Sequence, residues 1–206
     1  MNKTIDKFGH QDYDIIHQEL LYQGIFRLLR YSIRQRLFQG GYSPEYSREL
    51  LQRLPAAAVL PYDPKKDRVI LIEQFRIGGI EDPQSPWLLE IPAGVITKND
   101  TPETIAYHEC EEEAGCRIEK LHRICEYFVS PGGSNEYLTL YCGKTDSTNV
   151  QGIHGLENEF ENIRVLNLSF AEAMEKLLAG EIKTSPAIIS LQWLALHKEQ
   201  LKKDWT

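Results

Sequence analysis

Gly94-Val95-Ile96-Thr97-Lys98-Asn99-Asp100-Thr101-Pro102-Glu103-Thr104-Ile105-Ala106-Tyr107-His108-Glu109-Cys110-Glu111-Glu112-Glu113-Ala114-Gly115-Cys116 is the stretch whose reading decides the fold. Pro102 suits the first turn of a helix, Asp100 or Thr101 can cap it, and Gly115 can end it. Glu109, Glu112 and Glu113 therefore fall on one face of one helix, while Ala106, Cys110 and Ala114, at i, i+4 and i+8, form a neighbouring small-residue stripe suited to packing on a sheet. The acids sit at the edge of a core. Like charges at these spacings destabilise a helix by about 0.2–0.5 kcal/mol per pair, and acids in its last turns oppose the macrodipole. A hard divalent cation would offset that cost, because Mg²⁺ takes carboxylate oxygens plus water and is commonly shared with phosphates. A solvated acidic face is the plainer alternative.

Composition narrows the field. At 206 residues the chain fits one ordinary domain, or a smaller one with an N-terminal extension, and hydrophobic and charged contents of 42% and 26% are globular values. The net charge of −7 argues against a nucleic-acid surface, with Arg27, Arg30, Arg34 and Arg36 as a local basic exception expected on an exposed strand or at a dimer contact. Met1 to His10 is polar, and no apolar run reaches the ~18–20 residues of a membrane span, so a cytoplasmic protein without membrane or nucleic-acid partners is expected. Cys110, Cys116, Cys125 and Cys142 show no CxxC pair and no zinc spacing, and read as reduced packing residues.

The elements follow. Residues 13–38 alternate apolar and polar side chains before Gln39-Gly40-Gly41, which reads as an antiparallel strand pair. Ala56–Tyr62 and Arg68–Arg76 form a hairpin, and Trp87–Pro92 delivers the chain to Gly94. Ile118–Val129, Tyr137–Lys144 and Ile163–Leu168 are further strands. Ser169 caps a helix over Phe170–Leu178, and Pro186 opens a last helix to about Lys202. The order predicts a mixed α/β fold, divided into an N-terminal β subdomain over 1–43 and a main domain over 44–206.

The quoted stretch resembles the Nudix box, Gly-x5-Glu-x7-Arg-Glu-U-x-Glu-Glu-x-Gly-U with U aliphatic, the signature of hydrolases of nucleoside diphosphates linked to another moiety. Gly94, Glu109, Glu112, Glu113 and Gly115 match in register. Asp100 stands for Glu, His108 for Arg, and Cys110 and Cys116 for the aliphatic residues. His108 is the most consequential departure, since histidine is cationic only near or below a pKa of ~6.5 unless neighbours raise it, and Glu112 at i+4 is such a neighbour. The resemblance implies a Nudix α/β/α sandwich with a mixed sheet. It also implies a Mg²⁺ site, with Mn²⁺ as an alternative, built from the Ala93 carbonyl, Glu109, Glu112 and Glu113.

Ser130-Pro131-Gly132-Gly133, Glu73–Arg76, Trp87–Gly94 and the run from His154 to Val165 look like the bacterial ADP-ribose pyrophosphatase subgroup. That resemblance implies hydrolysis of ADP-ribose to AMP and ribose 5-phosphate. Arg48, Arg76, Pro131 and Glu136 would meet substrate, Glu159 or Glu161 would be the base with Glu159 preferred, and Glu112 would assist. It further implies a domain-swapped homodimer joined through the N-terminal strands. The alternatives are a pyrophosphatase for another nucleoside diphosphate sugar, such as GDP-mannose, or a module that binds ADP-ribose without cleaving it.

Overall fold

The computed structural model describes residues 7–205. The chain divides into two compact units, one running up to Arg53 and including Phe128–Glu136, the other comprising Leu54–Tyr127 and the chain from Tyr137 onward.

The first unit is an antiparallel sheet of β1 (Tyr13–Gln23), β2 (Arg27–Gln35) and β3 (Tyr46–Gln52), with β2 in the centre. The alternation over 13–38 thus resolves into a strand pair, and a third strand joins it. Leu29 is buried, whereas Tyr13, Ile15, Ile16, Leu20 and Tyr22 along β1 are exposed. The turn at 131–133 joins this unit through the Leu51 N–H, which donates to the Gly133 carbonyl at 2.8 Å.

The second unit is built on an eight-stranded mixed sheet. Its strands are β4 (Ala56–Asp63), β5 (Arg68–Phe75), β6 (Trp87–Glu90), β7 (Ala93–Val95), β8 (Lys120–Phe128), β9 (Tyr137–Lys144), β10 (Gly152–His154) and β11 (Ile163–Ser169). Their order is β10-β11-β5-β4-β9-β8, with β6 paired to β5 and β7 to β4. β4 runs parallel to β9 and antiparallel to β5, and it is buried along its whole length. A strand covered on both faces should be continuously apolar, and Ala56 to Tyr62 is.

Because side chains alternate along a strand, β4 feeds two cores. Ala57 and Val59 join Ile70, Ile72, Ile105, Ala106, Cys110 and Ala114 beneath α1 (Pro102–Ala114). Ala58, Leu60 and Tyr62 join Val69, Leu71 and Leu140 beneath α2 (Phe170–Leu178) and α3 (Ser185–Trp205). The result is helix, sheet, helix, as expected, and the small stripe Ala106, Cys110, Ala114 is fully buried. Among the described residues no helix is long and apolar enough to cross a membrane.

Candidate functional site

Local chemistry fixes α1. Thr101 is the N-cap, its hydroxyl accepting from the Thr104 N–H at 3.2 Å while the Thr104 hydroxyl accepts from the Thr101 N–H at 2.9 Å. Asp100 has a different task, closing the preceding turn by accepting from the Thr97 N–H at 3.0 Å. Gly115 ends the helix in the left-handed region at φ 60°, where a residue without Cβ has no penalty.

With the apolar stripe on the sheet, α1 turns its acids toward β7. Glu113 is only 3% exposed, and its carboxylate accepts from the Ala93 N–H at 2.9 Å. Burial pushes its pKa up to about 8; the Ala93 bond lowers it, the Glu109 carboxylate raises it, and Arg76 lowers it. Half-buried Glu109 is also raised, first by desolvation and then by the Glu112 charge. Among the described residues neither Glu109 nor Glu113 forms an ion pair. Two desolvated carboxylates without an ion-pair partner are chemically suited to a hard cation.

Gly94 pairs with Ala57 on β4, directly across from Glu109. A Cβ at position 94 would overlap the Glu109 side chain out to its carboxylate. Gly94→Ala is expected to displace that carboxylate and slow turnover about tenfold, or ~1.4 kcal/mol of barrier, with unchanged circular dichroism. Full activity in Gly94→Ala would show that Glu109 needs no fixed position.

His108 stands 3.6 Å from Glu112 at the helix surface, with its side chain 70% exposed. The loop after β10 is tied to the same helix end. The Gly155 N–H approaches the Glu112 carbonyl at 3.4 Å, and the His154 ring lies where a Cβ on Gly115 would have to be. Glu159 ends a short 3-10 turn at Glu157–Glu159 and is exposed. Glu161 is half-buried and its carboxylate accepts from the Leu156 N–H at 3.1 Å, closing the loop on itself. Both charges raise Glu109, and Glu161 raises Glu113 as well.

Arg76 follows β5, with its Nε donating to Glu90 at 2.8 Å and Gln74 donating to the same carboxylate at 3.3 Å. The second unit therefore brings together Ala93, Glu109, Glu112, Glu113, Arg76 and the loop acids. Arg48, Pro131 and Glu136 belong to the first unit. Arg48 is exposed, its guanidinium 4.5 Å from the Tyr46 ring centre, and Pro131 lies in an exposed turn. Glu136 is paired with Arg53 at 3.2 Å. Glu90, His154 and Arg53 were not singled out from sequence; Glu90 is registered against Ile72 in the β5–β6 pair, and Arg76 reaches it with its side chain from beyond the end of β5, a contact that strand register does not signal.

A mixed sheet between helices, with a Gly-framed acidic helix at its edge, defines the class: the chain belongs to the NUDIX domain family, whose sequence model matches residues 52–200. It is 42% identical over 198 residues to the ADP-ribose pyrophosphatase of Escherichia coli, covering 96% of this chain and 95% of that one. It is 43% identical over 204 residues to the ADP-ribose pyrophosphatase of Haemophilus influenzae, covering 98% and 94%. A GDP-mannose pyrophosphatase of Escherichia coli is 33% identical over 153 residues, or 73% of this chain and 78% of that protein. The crystal structure of an ADP compounds hydrolase superposes with a TM-score of 0.70 at 18% identity, over 97% of this chain and 99% of that one, which supports the fold.

Proposed function

We propose that this protein hydrolyses the diphosphate of ADP-ribose, releasing AMP and ribose 5-phosphate. The observation that carries the reading is the set of unpaired, desolvated acids on α1 in a chain so similar, end to end, to ADP-ribose pyrophosphatases.

Glu109, Glu112, Glu113 and the Ala93 carbonyl would hold Mg²⁺, or Mn²⁺ in its place. Among the described residues no three His, Cys, Asp or Glu side chains are placed to hold a metal ion together. An open edge suits Mg²⁺, which keeps several waters and is commonly bound through one or two carboxylates plus substrate phosphates. When bound, the ion supplies neutralisation of charge on the non-bridging phosphate oxygens.

The chain's own groups do the rest. Glu159 takes a proton from the water that attacks phosphorus; this role fits an exposed carboxylate on a loop tied to α1. Glu161, occupied by the Leu156 N–H, holds that loop in shape. Arg76, oriented by Glu90, offers its remaining guanidinium N–H groups to a phosphate. Arg48, Pro131 and Glu136 are the further substrate contacts. Glu159→Gln is expected to lower kcat about 10²-fold. Glu161→Gln should have the smaller effect; the reverse order would move the base to Glu161.

A homodimer joined along β1 fits the exposed Ile15, Ile16, Leu20 and Tyr22, each copy completing its partner's site. Sedimentation should show a dimer at micromolar concentration, and a monomer would refute shared sites. Four free thiols fit a reducing compartment such as the cytoplasm. The deciding assay is AMP release from ADP-ribose with Mg²⁺, alongside GDP-mannose and other nucleotide sugars. Faster turnover of another panel member would overturn the substrate assignment, and tight ADP-ribose binding without turnover would mean a binding module.

A further inference from the structure

The cap of α1 combines two features that come from different levels of the chain. Its backbone makes a left-handed cap: the Gly115 N–H donates to the Glu111 carbonyl at 3.0 Å, and one residue further the Cys116 N–H donates to the Cys110 carbonyl at 3.3 Å. This pair of bonds folds the chain back on the helix end, so that the side chains at positions 110 and 116 meet. Apolar side chains ordinarily make that contact. Here both positions carry cysteine, and the two sulfurs are 2.9 Å apart, free and buried.

We propose that Cys110 and Cys116 form a redox site, a buried dithiol that a small peroxide closes into a disulfide across the C-terminal cap of α1 and that a thiol reductant reopens. A disulfide needs its sulfurs at ~2.05 Å, so closure asks each to move by less than about half an ångström. The two thiols already sit side by side because the cap's backbone bonds put them there, and neither has to be brought in from another element.

Burial selects the oxidant. Cys116 is 2% exposed and Cys110 is fully covered, which shuts out a bulky disulfide such as oxidised glutathione and leaves hydrogen peroxide as the reagent of suitable size. One cysteine sulfur attacks a peroxide oxygen and breaks the O–O bond, giving a sulfenic acid and one water. The second sulfur attacks the sulfenic sulfur, the S–O bond breaks, and a second water leaves with the remaining proton. Two thiols and one peroxide thus give one disulfide and two waters, the sulfurs losing the two electrons that the peroxide gains. Dithiothreitol returns two electrons and two protons. The closed form would pin residues 110–116, the turn that holds Glu111, Glu112 and Glu113, to a single conformation.

Trypsin cuts after Lys98 and Arg117, so both cysteines fall in the peptide Asn99–Arg117, apart from Cys125 and Cys142. The full-length native protein is treated with hydrogen peroxide, denatured with an alkylating agent present, digested without reductant and weighed by mass spectrometry. The expected result is an Asn99–Arg117 peptide without alkyl groups, two hydrogens lighter than its dithiol form, that takes up two alkyl groups after dithiothreitol. A peptide that keeps two alkyl groups would overturn the proposal. So would a sulfinic or sulfonic acid on one cysteine, or a link to Cys125 or Cys142. A Cys110→Val/Cys116→Leu protein keeps the cap's apolar contact, and its two remaining thiols should stay titratable after the same exposure; their loss would show unselective oxidation and overturn the site.

Discussion

Replacing Glu113 with Gln is expected to lower metal-dependent turnover by about 10³-fold or more while leaving the fold intact. The exchange keeps shape: a glutamine Oε1 can still accept from the Ala93 N–H that now reaches the carboxylate at 2.9 Å. What disappears is one negative charge in a buried position where the sheet edge excludes water. Interactions that neutralise transition-state charge at a metal are worth several kcal/mol, and each ~1.4 kcal/mol is tenfold in rate. AMP release from ADP-ribose and circular dichroism on the same preparation make the check. Turnover within tenfold of the parent would remove Glu113 from the machinery, and a collapsed spectrum would show that the residue is structural.

The parts of the fold that were legible in the sequence are those set by local chemistry. Thr101, Pro102 and Gly115 bound α1 because capping needs only neighbouring residues, and the same holds for Ser169 and the helix it starts, where the Glu172 carboxylate accepts from the Ser169 N–H at 2.7 Å. β9 matches the expected span from Tyr137 to Lys144. Elements whose reason lies elsewhere in the chain were harder to see. β3 was missed because Ser47-Arg48-Glu49-Leu50-Leu51 does not alternate cleanly; its pairing with β2 makes it a strand. β7 has three residues and exists through its bonds to β4. The last helix continues past Lys202 to Trp205 because Leu201 and Trp205 are buried against the core.

The same division runs through the site. The spacing of Glu109, Glu112 and Glu113 is a property of one helix, so a periodicity argument brings them together. That Gly94 must lack a side chain because Glu109 lies over it is a fact of packing between β7 and α1. Nor can spacing tell that Asp100 is spent on Thr97, that Arg76 is engaged by Glu90, or that Glu161 is engaged by a backbone N–H while Glu159 is left exposed. Two acids of the box region thus part company: Asp100 closes a turn, and Glu109 is half-buried and, among the described residues, without an ion-pair partner.

The unpaired acids also predict how the metal-free protein responds to pH. Glu113 is raised from 4.5 to about 8 by burial, and Glu109 is raised in the same direction. A folded state that holds a proton more tightly than the unfolded chain has its full stability below the unfolded pKa. It loses stability as pH climbs toward the folded value, because the unfolded state ionises first. In the presence of EDTA, stability should therefore fall between about pH 4.5 and 8, by an amount on the order of 5 kcal/mol from Glu113 alone. Urea unfolding across that window gives the slope. Glu113→Gln removes the ionisation and should flatten most of it, and Mg²⁺ at pH 8 should restore stability to the parent but little to the variant. A flat parent profile in EDTA would mean that the buried carboxylate is solvated or paired. A steep profile shared equally by Glu113→Gln would assign the effect to other groups. Stability set against cation binding is what a helix edge crowded with acids implies, since the same desolvation that destabilises the empty site strengthens its attraction for a cation.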